Sequence, residues 1–286
     1  MMLTRYYMVA ECAFSVTAEE GVFDLMANYE PFSKEVTDEV TFELTMGGNG
    51  VVEYEEEWRQ SEEGQEIVCG HTEGGEAVFE YRWWNETAGW LVCDENYQRG
   101  KLVMTGRYPK MAVDNALMVL FSLATAERGR VLFHAAVVRH GGRGYMFLGK
   151  SGTGKSTHAR MWLKYIQGTD LVNDDNPVVR VANDGTAVVY GSPWSGKTPC
   201  YRNVSCPLGG IVQLSQAPYN RIERLRGVKA YAVLVPSISG KRWNRRIADG
   251  LYQTENSLAM HVPVWHLECL PDEDAAKVCK EATSNE

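Results

Sequence analysis

The chain has 286 residues, 44% hydrophobic and 23% charged, with a formal net charge of −8. That is enough for one large or two ordinary globular domains, and the absence of any long unbroken apolar run argues against a helix spanning a membrane. The charge is unevenly placed: residues 1–106 hold 22 acidic and 6 basic side chains, while residues 107–286 hold 15 and 23. The break predicts an acidic domain over 1–106 and a basic one over 107–286, the latter suited to a polyanionic ligand. No nucleic-acid-binding motif accompanies the positive charge, so neither nucleic acid nor membrane is an expected partner. Seven scattered cysteines (Cys12, Cys69, Cys93, Cys200, Cys206, Cys269 and Cys279) form no C-x-x-C pair, which predicts neither a zinc site nor a disulfide framework. With an N-terminus unlike a secretory signal, this points to a cytoplasmic protein.

In chain order, "RYYMVAECAFSV", "EVTFELTM", "GVVEYEEEWRQ", "EAVFEYRWW" and "GWLVC" read as short strands rich in Val, Phe, Tyr and Trp, and the triplet Glu55, Glu56, Glu57 as a solvated edge or loop. A helix over about 109–129 marks the domain boundary. Pro109 suits its first turn and Gly129 its end, with Val113, Ala116, Leu117, Leu120, Leu123 and Ala124 on the buried face. "VLFHAAVV" then reads as one strand, "RHGGRG" as a tight turn and "YMFL" as a second strand. A helix follows at "KSTHARMWLKYIQ", burying Ala159, Trp162, Leu163 and Ile166. "DLVNDD" is a strand with its acids at the carboxyl end, and "VVRVANDGTAVVY" a hairpin turning at Asn183-Asp184-Gly185. "PLGGIVQLSQ" and "VPVWHLECLP" supply further strands, "GKRWNRR" a basic loop, and "DEDAAKVCKEATSNE" a terminal helix.

Between "YMFL" and its helix lies Gly149-Lys150-Ser151-Gly152-Thr153-Gly154-Lys155-Ser156, followed by Thr157: a full G-x-x-x-x-G-K-[ST] match. Glycines let such a loop take positive φ and aim backbone N–H groups at phosphate oxygens, and the following helix presents its positive end to the same anion. Lys155 is placed to reach the outer phosphates and Ser156 to ligate Mg²⁺, so the expected cofactors are ATP and magnesium. Asp174 and Asp175 end a strand only 19 residues after Lys155, closer than the acidic strand of a typical ATPase of this kind. There one carboxylate can hold the metal and the other can take a proton from an attacking hydroxyl. Lys197, in "PWSGKTP", is a candidate cation for the γ-phosphate, as are Arg221 and Arg224 in "NRIERL". His134, 15 residues before Gly149, reads on its own as a core histidine in a strand.

"FHAAVV…GYMFLGKSGTGKST…LVNDD" resembles the HPr kinase and phosphoenolpyruvate carboxykinase superfamily over roughly residues 131–270, with "GSPWSGKTP", "PLGGIVQL" and "NRIERL" similar to segments of shorter HPr kinase-related proteins. The resemblance implies an α/β fold: a phosphate-loop nucleotide-binding core of the HPr kinase/carboxykinase type behind an N-terminal β-rich domain. It implies that His134 flanks the γ-phosphate, and that Asp174 and Asp175 supply the base and a metal ligand in an order it leaves open; Ser156 and Asp175 are taken as the metal-binding candidates. Thr157 stands where HPr kinases usually carry Glu, and the N-terminal unit is unlike theirs, which argues against HPr as acceptor. The expected activity is transfer of the γ-phosphate to a hydroxyl, on a serine of a peptide or protein or on a small alcohol. A non-catalytic nucleotide-binding regulator and a carboxykinase-like or phosphorylase activity are the alternatives. HPr kinases assemble into hexamers, which leaves a homo-oligomer open.

Overall fold

Long alternating runs of apolar and polar residues give this mixed α/β protein two large sheets, described in a computed structural model over residues 1–37, 39–48, 50–196 and 198–284. The chain divides into two compact units, Met1–Thr125 and Ala126–Glu286.

In the first unit, β1 (Met2–Val9), β2 (Cys12–Glu19), β3 (Ser33–Lys34), β4 (Phe42–Met46), β5 (Glu55–Glu62), β6 (Gln65–His71), β7 (Ala77–Trp83), β8 (Glu86–Cys93) and β9 (Arg99–Met104) form one sheet. Their order is β3-β1-β2-β4-β9-β8-β7-β6-β5. "RYYMVAECAFSV" is a hairpin rather than one strand: Ala10 and Glu11 both take positive φ, at 47° and 60°, and turn β1 onto β2. Glu55, Glu56 and Glu57 lie on β5, the exposed edge strand. Helix α1 (Pro109–Thr125) packs on this sheet through Val113, Ala116, Leu117, Leu120, Phe121 and Leu123, with Ala124 only half-buried. Phe121 meets Phe42 edge-on at 6.4 Å, and Phe42 stacks on Phe14 at 4.8 Å. The helix that sequence places at the start of the second domain therefore belongs to the first unit, because its apolar face is buried there. The division falls at 125/126 rather than at 106/107.

The second unit contains β10 (Arg130–Leu132), β11 (Ala136–His140), β12 (Arg143–Leu148), α2 (Lys155–Tyr165), β13 (Asp170–Asn173), β14 (Val178–Val181), β15 (Ala187–Tyr190), β16 (Ser205–Gln216), β17 (Arg221–Leu225), α3 (Val228–Leu234), α4 (Arg245–His261), β18 (Val264–Cys269) and α5 (Glu273–Ser284). The twelve residues of β16 serve two neighbourhoods. Its first part pairs with β15, and its last part runs parallel to β12 on one side and β18 on the other. Gly141 and Gly142, both at positive φ, make the tight turn between β11 and β12. Helix α2 packs against β11, β12, β13 and α5, burying His158, Ala159, Trp162 and Ile166 beside Phe147, Tyr145 and Cys279. Leu163, expected on that face, is 37% exposed.

"VLFHAAVV" is not one strand either. Val131 pairs with Val179 through β10 and Val138 pairs with Tyr145 through β11, so the chain changes neighbours over Phe133–Ala135. Backbone bonds from Phe133 N–H to the Pro177 carbonyl, from His134 N–H to Ser237 (2.7 Å) and from Ala135 N–H to Asp175 (2.8 Å) hold the crossing. His134 stands at that crossing.

Candidate active site

The loop from Gly149 to Gly154 needs its glycines. Gly149 (φ +156°), Gly152 (+77°) and Gly154 (+110°) occupy conformations that side chains disfavour, and a Cβ on Gly149 would sit 3.0 Å from Thr153. Thr153 N–H bonds the Lys150 carbonyl at 3.1 Å, and Gln216 Nε2, from the end of β16, donates to the Gly152 carbonyl at 3.2 Å. Gly154 caps α2 in the left-handed region, so Lys155, Ser156 and Thr157 form the first helical turn at its positive end. Ser151 is exposed, whereas Thr153, Ser156 and Thr157 are half-buried.

Lys155 is 8% exposed and its ammonium is held in place. Nζ donates to the Gly149 carbonyl at 3.0 Å and lies 2.8 Å from His134 Nε2. An ammonium has only donors, so Nε2 accepts and the proton on the imidazole resides on Nδ1, 3.1 Å from Asp175 Oδ1. The result is an unbroken path from Lys155 through His134 to Asp175. Asp175 Oδ2 also accepts from Asn176 Nδ2 at 2.9 Å. Asp174 is buried at 5% exposure, and its Oδ2 accepts the Thr198 N–H at 3.3 Å.

The structure thus brings together Lys155, His134 and Asp175, with Asp174 adjacent in the chain. Lys197 lies outside the described residues. Arg224 sits over the ring of Trp265 at 4.6 Å, on edge strand β17. Trp194 is buried at 4% exposure, whereas Trp243 is an exposed surface ring, and "GKRWNRR" ends inside α4, which Asn244 caps by accepting the Ile247 amide at 3.2 Å.

Sequence reasoning passed over Asn173 and Ser192. Both are fully buried and lie directly behind the acids. The available signal was a polar Asn closing an apolar strand beside two aspartates, and a Ser set between Gly191 and Pro193. Burial also acts on nearby titrating groups. It pushes the Cys200 thiol up, and it drives His158, under the first turn of α2, down from 6.5 to about 4.

Among the described residues, no group of three or more His, Cys, Asp and Glu side chains could hold a metal by itself, and no helix is long and apolar enough to cross a membrane. Ser156 and the two carboxylates do offer hard oxygen donors. That donor set fits Mg²⁺, which keeps several waters and takes phosphate oxygens instead of a full protein cage. No protein-family model matches the chain, and no curated protein matches it.

Proposed function

We propose that this chain is an ATP- and Mg²⁺-dependent phosphotransferase with a phosphate-loop core of the HPr kinase and carboxykinase type. It would move the γ-phosphate to a hydroxyl of a peptide, protein or small alcohol. The observation that carries the reading is the hydrogen-bonded path Lys155–His134–Asp175, which ties a glycine-rich loop to an acidic strand end. A chance glycine turn has no reason to share a buried cation with a histidine–carboxylate pair. A cytoplasmic location would suit a chain whose seven cysteines form no disulfide among the described residues.

In this reading the loop amides and the N-terminus of α2 hold the phosphates. Lys155 exchanges its carbonyl contacts for phosphate oxygens and balances charge there. Ser156 and Asp175 would hold magnesium, which would supply neutralisation of the negative charge that develops during phosphoryl transfer. His134, oriented by Asp175, presents Nε2 where Lys155 ends and so flanks the transferred group. The acceptor oxygen attacks the γ-phosphorus, the bond to the β–γ bridging oxygen breaks, and Asp174 takes the hydroxyl proton. The test is consumption of Mg·ATP by the wild type and its absence in Asp174→Asn with an unchanged circular dichroism spectrum.

A further inference from the structure

Behind the two acids lies a small, fully buried polar node. Asn173, the last residue of β13, accepts the Asp175 N–H on Oδ1 at 2.8 Å. Its Nδ2 donates both to Ser192 Oγ and to the Trp194 carbonyl, each at 3.1 Å. Ser192 Oγ also accepts the Trp194 N–H at 3.2 Å and donates to the Asn176 carbonyl at 2.6 Å. Both side chains are completely shielded from water. Two residues thereby clamp the backbone between and just beyond the acids: Asn173 holds the amide that joins Asp174 to Asp175, and Ser192 holds the carbonyl of Asn176.

The node also fastens the strand end to the segment packed against it. Gly191 passes so close that a Cβ there would sit 2.0 Å from the Arg202 carbonyl and 3.1 Å from that of Val172. A Cβ on Gly196 would lie 3.1 Å from Asp175 Cβ, and the Thr198 amide reaches Asp174. A polar cluster without solvent is stable only when its members are satisfied, and removing one partner leaves the others short of bonds that water cannot replace. An apolar pair of similar volume could fill the same space, so packing alone does not require an amide and a hydroxyl here.

We propose that Asn173 and Ser192 are positioning residues for phosphoryl transfer. They fix the Asp174–Asp175 backbone, and through it the direction of both carboxylates, without touching nucleotide or acceptor. The inference rests on the phosphotransferase reading above. It assigns to this node the alignment of a carboxylate with the metal and of its neighbour with the acceptor hydroxyl.

The experiment uses the full chain and two variants, Ser192→Ala and Asn173→Ala, so that one remains informative if the other fails to fold. ATP affinity is measured by calorimetry in EDTA and in excess magnesium, and amide exchange is followed by mass spectrometry. Ser192→Ala should keep its metal-free ATP affinity within about twofold, because the glycine loop and α2 are untouched. Its magnesium-dependent gain in affinity should fall about tenfold, the consequence of one lost buried hydrogen bond with partners left unpaired. Exchange should speed up over residues 174–176 while residues 156–165 stay as protected as in the wild type. A magnesium gain equal to that of the wild type, with wild-type protection over 174–176, would overturn the proposal and leave the phosphotransferase reading standing. A wild type that binds ATP no better with magnesium than without would overturn that reading, and this inference with it.

Discussion

Helix α2 carries Lys155 and Ser156, and its foundation should be sensitive to acid. His158 is 3% exposed, its Nε2 accepts Trp162 Nε1–H at 3.1 Å, and the Phe147 ring meets it edge-on at 4.7 Å. Protonation would destroy that acceptor and strand a cation among aromatic rings, which is why burial lowers its folded-state pKa from 6.5 to about 4. The neutral form is thus the one the fold tolerates. The stability that depends on it is complete above pH 6.5, where both states are neutral, and is lost as pH falls from 6.5 towards 4 while only the unfolded chain takes the proton. The full loss is about 3 kcal/mol, of which about 2 kcal/mol is gone by pH 5. Native-state hydrogen exchange of the α2 amides at pH 7.5 and pH 5.0 reads this directly in the wild type and His158→Gln. The amide oxygen of Gln keeps an acceptor for Trp162 but does not titrate. Contributions from surface carboxylates are common to both proteins, so the wild type should lose about 2 kcal/mol more than the variant between these pH values. Equal losses in the two proteins would show that His158 is not the source of the acid sensitivity.

Three further outcomes follow from the site. Ser156→Ala should weaken ATP binding in magnesium by about tenfold while leaving metal-free binding nearly unchanged, as calorimetry would show, and equal losses would count against a ligand role. Lys155→Met removes the cation at the head of the hydrogen-bonded path, and should lower ATP affinity by about tenfold or more with and without magnesium. Gly191→Ala would force a Cβ against two backbone carbonyls that cannot step aside, so urea unfolding should show a loss of about 3 kcal/mol.

Much of the second unit was legible because its signals are local. The glycine pattern and amphipathic α2 fix a strand–loop–helix unit, Asn183-Asp184-Gly185 fixes a hairpin, and "LVNDD" places its acids just past the strand. What escaped depends on contacts distant in sequence. "VLFHAAVV" is uniformly apolar around one histidine, and only its partners, β14 on one side and β12 and β13 on the other, reveal the break that puts His134 at the site. The Ala10-Glu11 turn uses positive φ without glycine or asparagine, so no residue advertised it. Helix α4 was hidden behind a basic run whose Asn244 is its cap. Charge composition located the domain change near residue 106, whereas the boundary follows the apolar face of α1, which charge counts do not register. The positioning node escaped for a related reason: a lone Asn and a lone Ser acquire meaning only once they are found buried together.

Phosphoryl transfer is tested most directly by phosphorus NMR of Mg·ATP incubated with concentrated protein and a filtered extract of metabolites and peptides, with Asp174→Asn as control. The γ-phosphorus resonance should be converted to a new phosphoester signal by the wild type and left intact by the folded variant. ATP untouched by the wild type across acceptor pools of peptides, proteins and small alcohols, or the same phosphoester formed equally fast by Asp174→Asn, would contradict this expectation.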